Sequence, residues 1–426
     1  MFKTLSNAWK IGDLRKKMLF TVFIIIIFRI GSAIPVPFLD PSLIKNFLNN
    51  NSNTMFGYFD MLTGGSFSKA TIFALSITPY INSSIIIQLL TIGIPALERL
   101  QKSGDEGRKK IAQYTRYTTI AIALITGFGY YRLLANNGAV KNDGYYTAVV
   151  ILATFTAGSA FIMWLGEQIN DKGVGNGISI ILFAGIVARL PATIISSIEA
   201  VRSGTLNWFA AIVIALIFIV VVGFIVFITD SERRIPIQYA KRVVGRKVYG
   251  GQNTYLPLKV NMSGVMPIIF ASSILMLPST IAAFLPQPKA GTFWAHVLNS
   301  ISYRSPLYAV LYLLLIIFFS YFYAATQYNP IEMTNNIKKN GGFIPGIRPG
   351  KPSADFVMNI LNKITLMGAL FLGVIAILPI MFTLAVPTVN LALSGTSILI
   401  VVGVALETVK QIESQILMRH YKGFLE

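Results

Sequence analysis

The residue types that most often catalyse reactions or bind metals are scarce in this sequence. It contains no cysteine, which excludes disulfides, thiolate catalysis, cysteine-ligated zinc and iron–sulfur clusters. The two histidines, His296 and His420, are far apart and lie in polar segments, so a histidine metal site or proton relay is not expected. The apolar segments offer no histidine or aspartate pair for an intramembrane enzyme. We therefore expect no catalytic residue, no metal and no cofactor.

Two glycine-rich segments match phosphate-binding loops only in part. Residues 173–177 (Gly-Val-Gly-Asn-Gly) lack the strand and βαβ unit that dinucleotide binding needs, and we interpret them as a tight connection. Gly350 and Lys351 resemble the end of a P-loop. However, Pro345 replaces the required glycine and Pro352 replaces the serine or threonine, so we assign no ATP site. If the protein performs work that requires ATP, another protein must hydrolyse the ATP.

The composition is typical of an integral membrane protein. Charged residues are 12% of the 426 residues, about half the usual fraction of a soluble domain. Hydrophobic residues are 54%, and mean hydropathy is +0.64. They cluster in long runs that match membrane-spanning helices of about 20 residues rather than the alternating strands of a barrel. The predicted spans are residues 18–35, 72–94, 114–134, 145–165, 178–198, 208–228, 265–285, 307–326, 360–382 and 389–406.

The basic residues predict the orientation of these spans. The first run follows three basic residues as a signal peptide does, but it is too long and lacks a good cleavage site, so we interpret it as a retained span. With the N-terminus in the cytoplasm, most of the 36 lysines and arginines fall in cytoplasmic segments, which predicts that both termini are cytoplasmic. Arg189 and Pro191 interrupt the fifth run. Arg29 is an intramembrane charge that either reaches the interface or pairs within the bundle.

One external segment is unlike a solvated loop. Residues 36–71 end in Met-Phe-Gly-Tyr-Phe-Asp-Met-Leu-Thr-Gly-Gly-Ser-Phe (residues 55–67), which is too apolar for a loop and too short and glycine-broken to span. Such a segment is tolerated at membrane depth where it is buried in protein or lines a cavity. An amphipathic helix on the membrane surface is the alternative.

The second and seventh spans share a short pattern. Pro79 and Pro267, separated by nearly half the chain, are each followed by isoleucine two positions later and serine five positions later. Two halves of five spans would have opposite orientations, so the pattern favours an inverted repeat, with chance similarity as the alternative. Secondary transporters also contain such repeats, but ion-coupled ones usually place ionisable groups near the midplane, and these runs contain almost no carboxylates.

Two predicted cytoplasmic loops are rich in basic residues. Residues 229–262 contain seven of them, and strand-like stretches at 234–242 and 243–249 predict a basic hairpin that projects from the membrane. Residues 338–352 are rich in proline and glycine, which would hold Arg348 in an exposed position. Ordinary positive-inside charge and contact with anionic lipids are the alternative interpretation.

Several segments resemble signatures of the SecY family, the pore-forming subunits of the bacterial Sec preprotein translocase. They are residues 72–90 (IFALSITPYINSSIIIQLL), 164–169 with 175–180 (WLGEQI and GNGISI), 113–117 (QYTRY), 256–261 (LPLKVN) and 343–350 (FIPGIRPG). The resemblance covers nearly the whole chain. Ser76 departs from it, because the family usually has glycine there, and we expect an effect on local helix packing.

The resemblance implies an all-α polytopic membrane protein in which ten transmembrane helices form two pseudo-symmetric five-helix halves, a clamshell channel with a plug. Residues 1–200 would form the first half, with spans 1–5. Residues 201–426 would form the second half, with spans 6–10 and the cytoplasmic loops 229–262 and 327–359. The implied function is to pass unfolded preproteins across the membrane and to release hydrophobic segments into lipid through a lateral gate between spans 2 and 7. An inverted-repeat secondary transporter is the alternative.

The resemblance also assigns roles to individual residues. The pore ring would consist of Ile77, Ile81, Ile178, Leu182, Ile269 and Leu399. The plug segment would consist of Gly57, Tyr58, Phe59, Asp60, Met61, Leu62, Thr63, Gly64, Gly65, Ser66, Phe67, Ser68, Lys69 and Ala70. The polar candidates at the lateral gate are Asn82, Gln88 and Asn261, although Gln88 could equally bind within its own half. The candidates for docking a motor or ribosome are Arg233, Arg234, Lys241, Arg242, Arg246, Lys247 and Arg348. Ordinary helix packing is the alternative role of each pore-ring residue.

The partners implied by the resemblance are proteins and lipids rather than cofactors. They are the membrane subunits SecE and SecG, the SecA ATPase, the ribosome, the signal sequences of preproteins and anionic lipids. The implied location is the bacterial plasma (inner) membrane.

Overall fold

The computed structural model describes residues 2–40, 42–44, 60, 63–141, 144–204, 207–239, 242–244, 247–249, 253–284, 305–385 and 395–422. The helices are α1 (Phe2–Lys10), α2 (Gly12–Gly31), α3 (Thr78–Gly93), α4 (Pro95–Lys102), α5 (Asp105–Asn136), α6 (Tyr145–Lys172), α7 (Gly177–Arg202), α8 (Trp208–Asp230), α9 (Met266–Phe284), α10 (Pro306–Gln327), α11 (Pro330–Lys339), α12 (Lys351–Ala385) and α13 (Gly395–Lys422). The strands are β1 (Glu232–Tyr239), β2 (Arg242–Val244), β3 (Lys247–Tyr249), β4 (Asn253–Lys259) and β5 (Gly342–Phe343).

The described helices include enough apolar segments for a multi-pass membrane protein. Six segments are long and apolar enough to cross a bilayer: α5, α6, α7, α8, α10 with α11, and α12. Helices α3 and α4 count as a seventh if they form one span, which bends by 102°. The first predicted span lies in α2, which carries charged residues at both ends. The predicted seventh and tenth spans extend beyond the described residues.

The second predicted span begins later than the sequence suggested. Residues 72–77 form turns, and α3 begins at Thr78. Pro79 occupies the first turn of α3, where its missing N–H removes no helical hydrogen bond and its fixed φ favours a helix start. Ser76, two residues upstream of the helix, has a φ of 51°, which is incompatible with a continuous right-handed helix. The prediction of helix across residues 72–77 is therefore wrong.

Helix contacts fall into two groups that follow the order of the chain. In the first, α3 packs against α5, α5 against α6, and α6 against α2 and α7. In the second, α9 packs against α10, α10 against α12, and α13 against α8 and α12. The groups meet where α9 contacts α3 and α5, and where α7 contacts α8 and α13. A large buried hydrophobic cluster contains residues of both groups.

The two basic loops share one β-sheet. Strand β1 pairs antiparallel with β4, and its other edge pairs with β5 from the second loop, where Gln238 lies opposite Phe343. Ile235 and Ile237 alternate with exposed residues along β1, so one face of the sheet is buried. Strands β2 and β3 form a separate hairpin. The predicted strand-like stretch at 234–242 overlaps β1, whose partner is β4, and the stretch at 243–249 overlaps the β2–β3 hairpin. Residues 240, 241, 245 and 246 lie outside the described residues.

The left-handed conformation at Ser76 predicts a measurable difference between two small substitutions. Alanine would keep the unfavourable contact of Cβ with the backbone, whereas glycine would remove it. We expect the Ser76→Gly protein to be more stable than Ser76→Ala by about 1 kcal/mol. Thermal unfolding of the two purified proteins in the same detergent measures the difference. Equal unfolding midpoints, or a higher one for Ser76→Ala, would contradict the assigned backbone conformation.

Candidate functional site

Five of the six predicted pore-ring residues belong to the large hydrophobic cluster that contains residues of both helix groups. The sixth, Ile178, is partly buried and packs against this cluster. Those five are Ile77, Ile81, Leu182, Ile269 and Leu399, with exposed fractions from 1% to 7%. They come from both groups: the start of α3, α7, α9 and α13. If these side chains formed a constriction, their aliphatic character would exclude water and ions when nothing occupied it.

The start of α7 is fixed by polar caps and by a close contact between glycines. The side-chain oxygen of Asn176 accepts hydrogen bonds from the backbone N–H groups of Ile178 and Ser179, at 3.1 and 3.3 Å. Gly177 packs directly on α6, since a Cβ at Gly177 would lie 1.9 Å from the carbonyl oxygen of Gly166. The two sequence segments 164–169 and 175–180 therefore meet at a point that only glycine allows, and Ile178 and Leu182 follow from this fixed start.

The described part of the plug segment, Asp60 and residues 63–70, is folded back on itself. Asp60 accepts a hydrogen bond from the backbone N–H of Gly65 at its carbonyl oxygen (2.8 Å) and another from the N–H of Ser68 at its carboxylate (2.7 Å). Thr63, Ser66 and residue 70 are almost fully buried. A surface-lying helix is therefore wrong for residues 63–70, which form buried turns. Gly57, Tyr58, Phe59, Met61 and Leu62 lie outside the described residues.

An aromatic contact attaches the same segment to α5. The ring of Phe67 stacks on Tyr130 with centroids 4.3 Å apart, and the Tyr130 hydroxyl donates a hydrogen bond to the Phe67 carbonyl oxygen at 2.5 Å. Both rings belong to a second hydrophobic cluster, which also contains Val36 and Leu39 from the loop after α2. The backbone of the segment returns beside that loop, where the N–H of Val36 donates to the carbonyl oxygen of residue 70 at 3.0 Å.

The three polar residues expected at the lateral gate occupy different surroundings. Helices α3 and α9 are in contact, and Asn82 is half-buried on α3. Gln88 donates to the Ser84 hydroxyl at 3.2 Å within α3 and also lies within hydrogen-bonding reach of Tyr323 on α10. Asn261 is buried before α9, and its side-chain oxygen has no hydrogen-bond partner among the described residues. The described hydrogen bonds do not link the three side chains to one another.

The docking candidates lie on the shared sheet and beside it. Arg233 and Arg234 are exposed on β1, and Arg234 forms an ion pair with Glu232 at 2.6 Å. Arg348 is exposed, and its carbonyl oxygen accepts a hydrogen bond from the Ser353 hydroxyl at 2.8 Å, which attaches the loop to the start of α12. Arg242 and Lys247 lie in β2 and β3, whereas Lys241 and Arg246 are outside the described residues.

Two polar contacts of the plug segment were not predicted from the sequence. Asp60 forms an ion pair with Arg189 of α7 at 2.7 Å, and Arg29 of α2 donates a long hydrogen bond of 3.4 Å to the Gly64 carbonyl oxygen. Arg29 thus pairs within the bundle. The available signal was a single carboxylate in an apolar external segment and two arginines at membrane depth, since buried charges need partners. Among the described residues, no group of acidic residues and histidines could hold a metal ion.

Comparison with known proteins identifies the family. The SecY family model matches residues 71–409. The protein translocase subunit SecY of Streptomyces scabiei is 44% identical over 440 residues, and that of Mycobacterium bovis is 43% identical over 446 residues. Both alignments cover the whole of each chain. The chain belongs to the SecY family. SecY proteins are channel subunits of a translocase and not a family of catalysts.

Solved structures support the same fold for this SecY-family chain. A structure described as that of a protein-conducting channel is similar with a TM-score of 0.68 and 19% identity, covering 94% of this chain and 92% of its own. A second structure, of a SecY protein whose plug domain is described as stabilising the closed channel, has a TM-score of 0.67 and 19% identity at the same coverage. The helix arrangement is therefore shared with Sec channels.

Because the pore-ring residues are buried and apolar, we expect polar substitutions in the ring to increase the leakage of ions. Serine at positions 81 and 269 would keep the constriction hydrated, so we expect the Ile81→Ser/Ile269→Ser protein to raise ion flux across sealed vesicles about tenfold. Conductance of reconstituted vesicles without substrate measures this flux. The matched control is Leu216→Ser/Ile219→Ser on the exposed face of α8, which should seal like the unaltered protein. Equal conductance of the two double variants would exclude the pore ring.

Proposed function

We propose that this SecY-family chain forms the path by which an unfolded polypeptide crosses the membrane, with the aliphatic junction between the helix groups as its constriction. The observation that carries the proposal is that Ile77, Ile81, Leu182, Ile269 and Leu399 all belong to one buried hydrophobic cluster, which takes residues from both groups. A polar chain in the bilayer centre costs about 2.5–3.5 kcal/mol for each charged side chain, so it needs an aqueous route. The constriction would seal that route when it is empty.

The two contact groups suggest how the route opens. We assign residues 1–200 to one half and residues 201–426 to the other, so that ten spans form an inverted repeat hinged near the link between α7 and α8. The contact of α3 with α9 is the proposed lateral gate, through which a hydrophobic signal segment would reach lipid. Gln88 and Asn82 lie on the gate helix α3, and Asn261 lies at the entrance to α9. Polar side chains between α3 and α9 would separate readily when the gate opens, because water can replace their hydrogen-bond partners.

The proposed plug segment, residues 57–70, would close the external side. Support comes from the buried turns at residues 63–70, which lie against α5 and α7 rather than in solvent. The segment would leave this position when a polypeptide enters.

The shared sheet and Arg348 loop form the proposed docking surface for the SecA ATPase or the ribosome. Strand β5 joins the second basic loop to β1 of the first, so the two loops present their arginines from one platform. Because we assign no ATP site to the sequence, the proposed source of energy is an external motor. SecE, SecG and anionic lipids are the proposed membrane partners, and the bacterial plasma membrane with both termini in the cytoplasm is the proposed location.

A secondary transporter is the less favoured function. The relatives are translocase subunits, and the charged side chains at membrane depth, Arg29 and Arg189, contact the plug segment rather than a midplane substrate site. Small-solute uptake that is independent of any preprotein would favour the transporter.

Crosslinking tests the proposed path directly, because the chain has no native cysteine. With an added thiol oxidant, single cysteines at positions 81, 178 and 269 should each form a disulfide with a cysteine placed in a secretory polypeptide that is stalled by a folded C-terminal domain. A cysteine at position 219, exposed on α8, serves as the control and should not react above background. SecA and ATP drive the transport, and the adducts between the channel and the stalled polypeptide are detected by their gel mobility. A stalled chain that reacts at position 219 as strongly as at the three pore-ring positions would contradict the assignment.

The exposed position of Arg348 predicts a role in docking. We expect Arg348→Glu to slow SecA-driven transport into vesicles about tenfold, because reversed charge at an interface weakens association with a complementary surface. The variant should still insert and fold, since its side chain is exposed. Lys141→Glu, exposed in a predicted external loop, is the control and should transport normally. Unaltered transport by Arg348→Glu would remove this residue from the docking surface.

A further inference from the structure

The carboxylate of Asp60 joins two parts of the molecule that are distant in sequence. One oxygen accepts the backbone N–H of Ser68 at 2.7 Å, which closes the turn of the plug segment. The other lies 2.7 Å from a guanidinium nitrogen of Arg189 on α7. The Asp60 side chain is 7% exposed, so its charge depends on these partners for stabilisation. The carboxylate therefore fixes the shape of the segment and its position on α7 at once.

A second contact lies beside the first. A Cβ at Gly64 would lie 2.8 Å from the carbonyl oxygen of Gly185, so the segment and α7 touch through their backbones. Gly185 and Arg189 are four residues apart on a helix and share one face. Asp60 and Gly64 have the same spacing within the segment. The plug segment thus sits on a single strip of α7, with a steric contact at one end and an ion pair at the other.

The ion pair differs from the other contacts in how it can be released. Phe67 and Tyr130 pack in an apolar cluster, and Gly64 makes a close steric contact with the backbone of Gly185. The Arg189 side chain is 36% exposed whereas that of Asp60 is 7% exposed, so the chain encloses the guanidinium only partly. Among the described residues, this is the ion pair that joins the plug segment to a helix.

We propose that the Asp60–Arg189 ion pair is a latch that holds the plug segment against α7 and sets how readily the channel opens. The inference rests on the proposed function, since it assumes that the segment moves when a polypeptide enters. Losing the latch shifts the balance between closed and open channels without altering the constriction itself. Both leakage in the empty state and tolerance of poor signal segments should therefore rise together.

The test compares single substitutions with a charge exchange in reconstituted vesicles. Asp60→Asn and Arg189→Gln should each raise resting ion conductance about tenfold and speed transport of a preprotein with a weakened signal segment. Asp60→Arg/Arg189→Asp should return both values toward those of the unaltered protein. Arg202→Gln, exposed at the end of α7, is the control and should change neither. Single variants that seal normally, or an exchange variant as leaky as they are, would overturn the latch.

A second variant covers the case in which a single substitution impairs folding. Cysteines at positions 60 and 189, joined by a cleavable bifunctional thiol reagent, should hold the segment in place and block transport until the reagent is cleaved. Transport that continues through the crosslinked protein would also overturn the latch. If the unaltered protein moves no preprotein with SecA and ATP, the proposed function itself fails. If it transports normally while the variants remain sealed, only the latch fails.

Discussion

A hydrocarbon layer solvates neither charged side chains nor unpaired peptide groups, and the arrangement of this protein follows from that constraint. Its apolar helices satisfy their own backbone, so they can face lipid, and α8 is left almost uncovered by the rest of the chain. Non-helical backbone, such as residues 63–70, occurs where protein covers it. A path for a polar chain through such a bundle must be aqueous when used and dry when empty. An aliphatic constriction at the junction of two helix groups meets both conditions.

The charged residues discussed above occupy two kinds of position, on the β-sheet and beside the plug segment. On the predicted cytoplasmic side, arginines and lysines are exposed on a β-platform, where they cost little to solvate. Arg189, which is partly exposed, and Arg29, which is exposed, contact the plug segment, and the buried carboxylate of Asp60 is the acidic partner of Arg189. Apolar packing also holds this segment, and the proposed latch adds a charged contact to it.

Glycines, and Ser76 in a conformation typical of glycine, determine where two of the helices begin and how closely neighbouring helices approach each other. The Gly166–Gly177 contact brings α6 against the start of α7 and thereby directs Ile178 and Leu182 toward the junction. Ser76 adopts the left-handed conformation that glycine adopts readily, which explains physically why a glycine suits this position before α3. Ile77 and Ile81 follow this turn and belong to the same hydrophobic cluster as residues of α7, α9 and α13.

The membrane class and most of the long helices could be predicted from the amino-acid sequence, because an apolar run of about 20 residues is a local property. Resemblance to SecY sequences, rather than periodicity, singled out the pore ring, since one isoleucine in an apolar helix looks like any other. Tertiary structure alone decided the pairing of β1 with β5, the meeting of Gly64 with Gly185, and the partner of Asp60. These contacts join residues far apart in the chain, and their geometry depends on how whole helices pack.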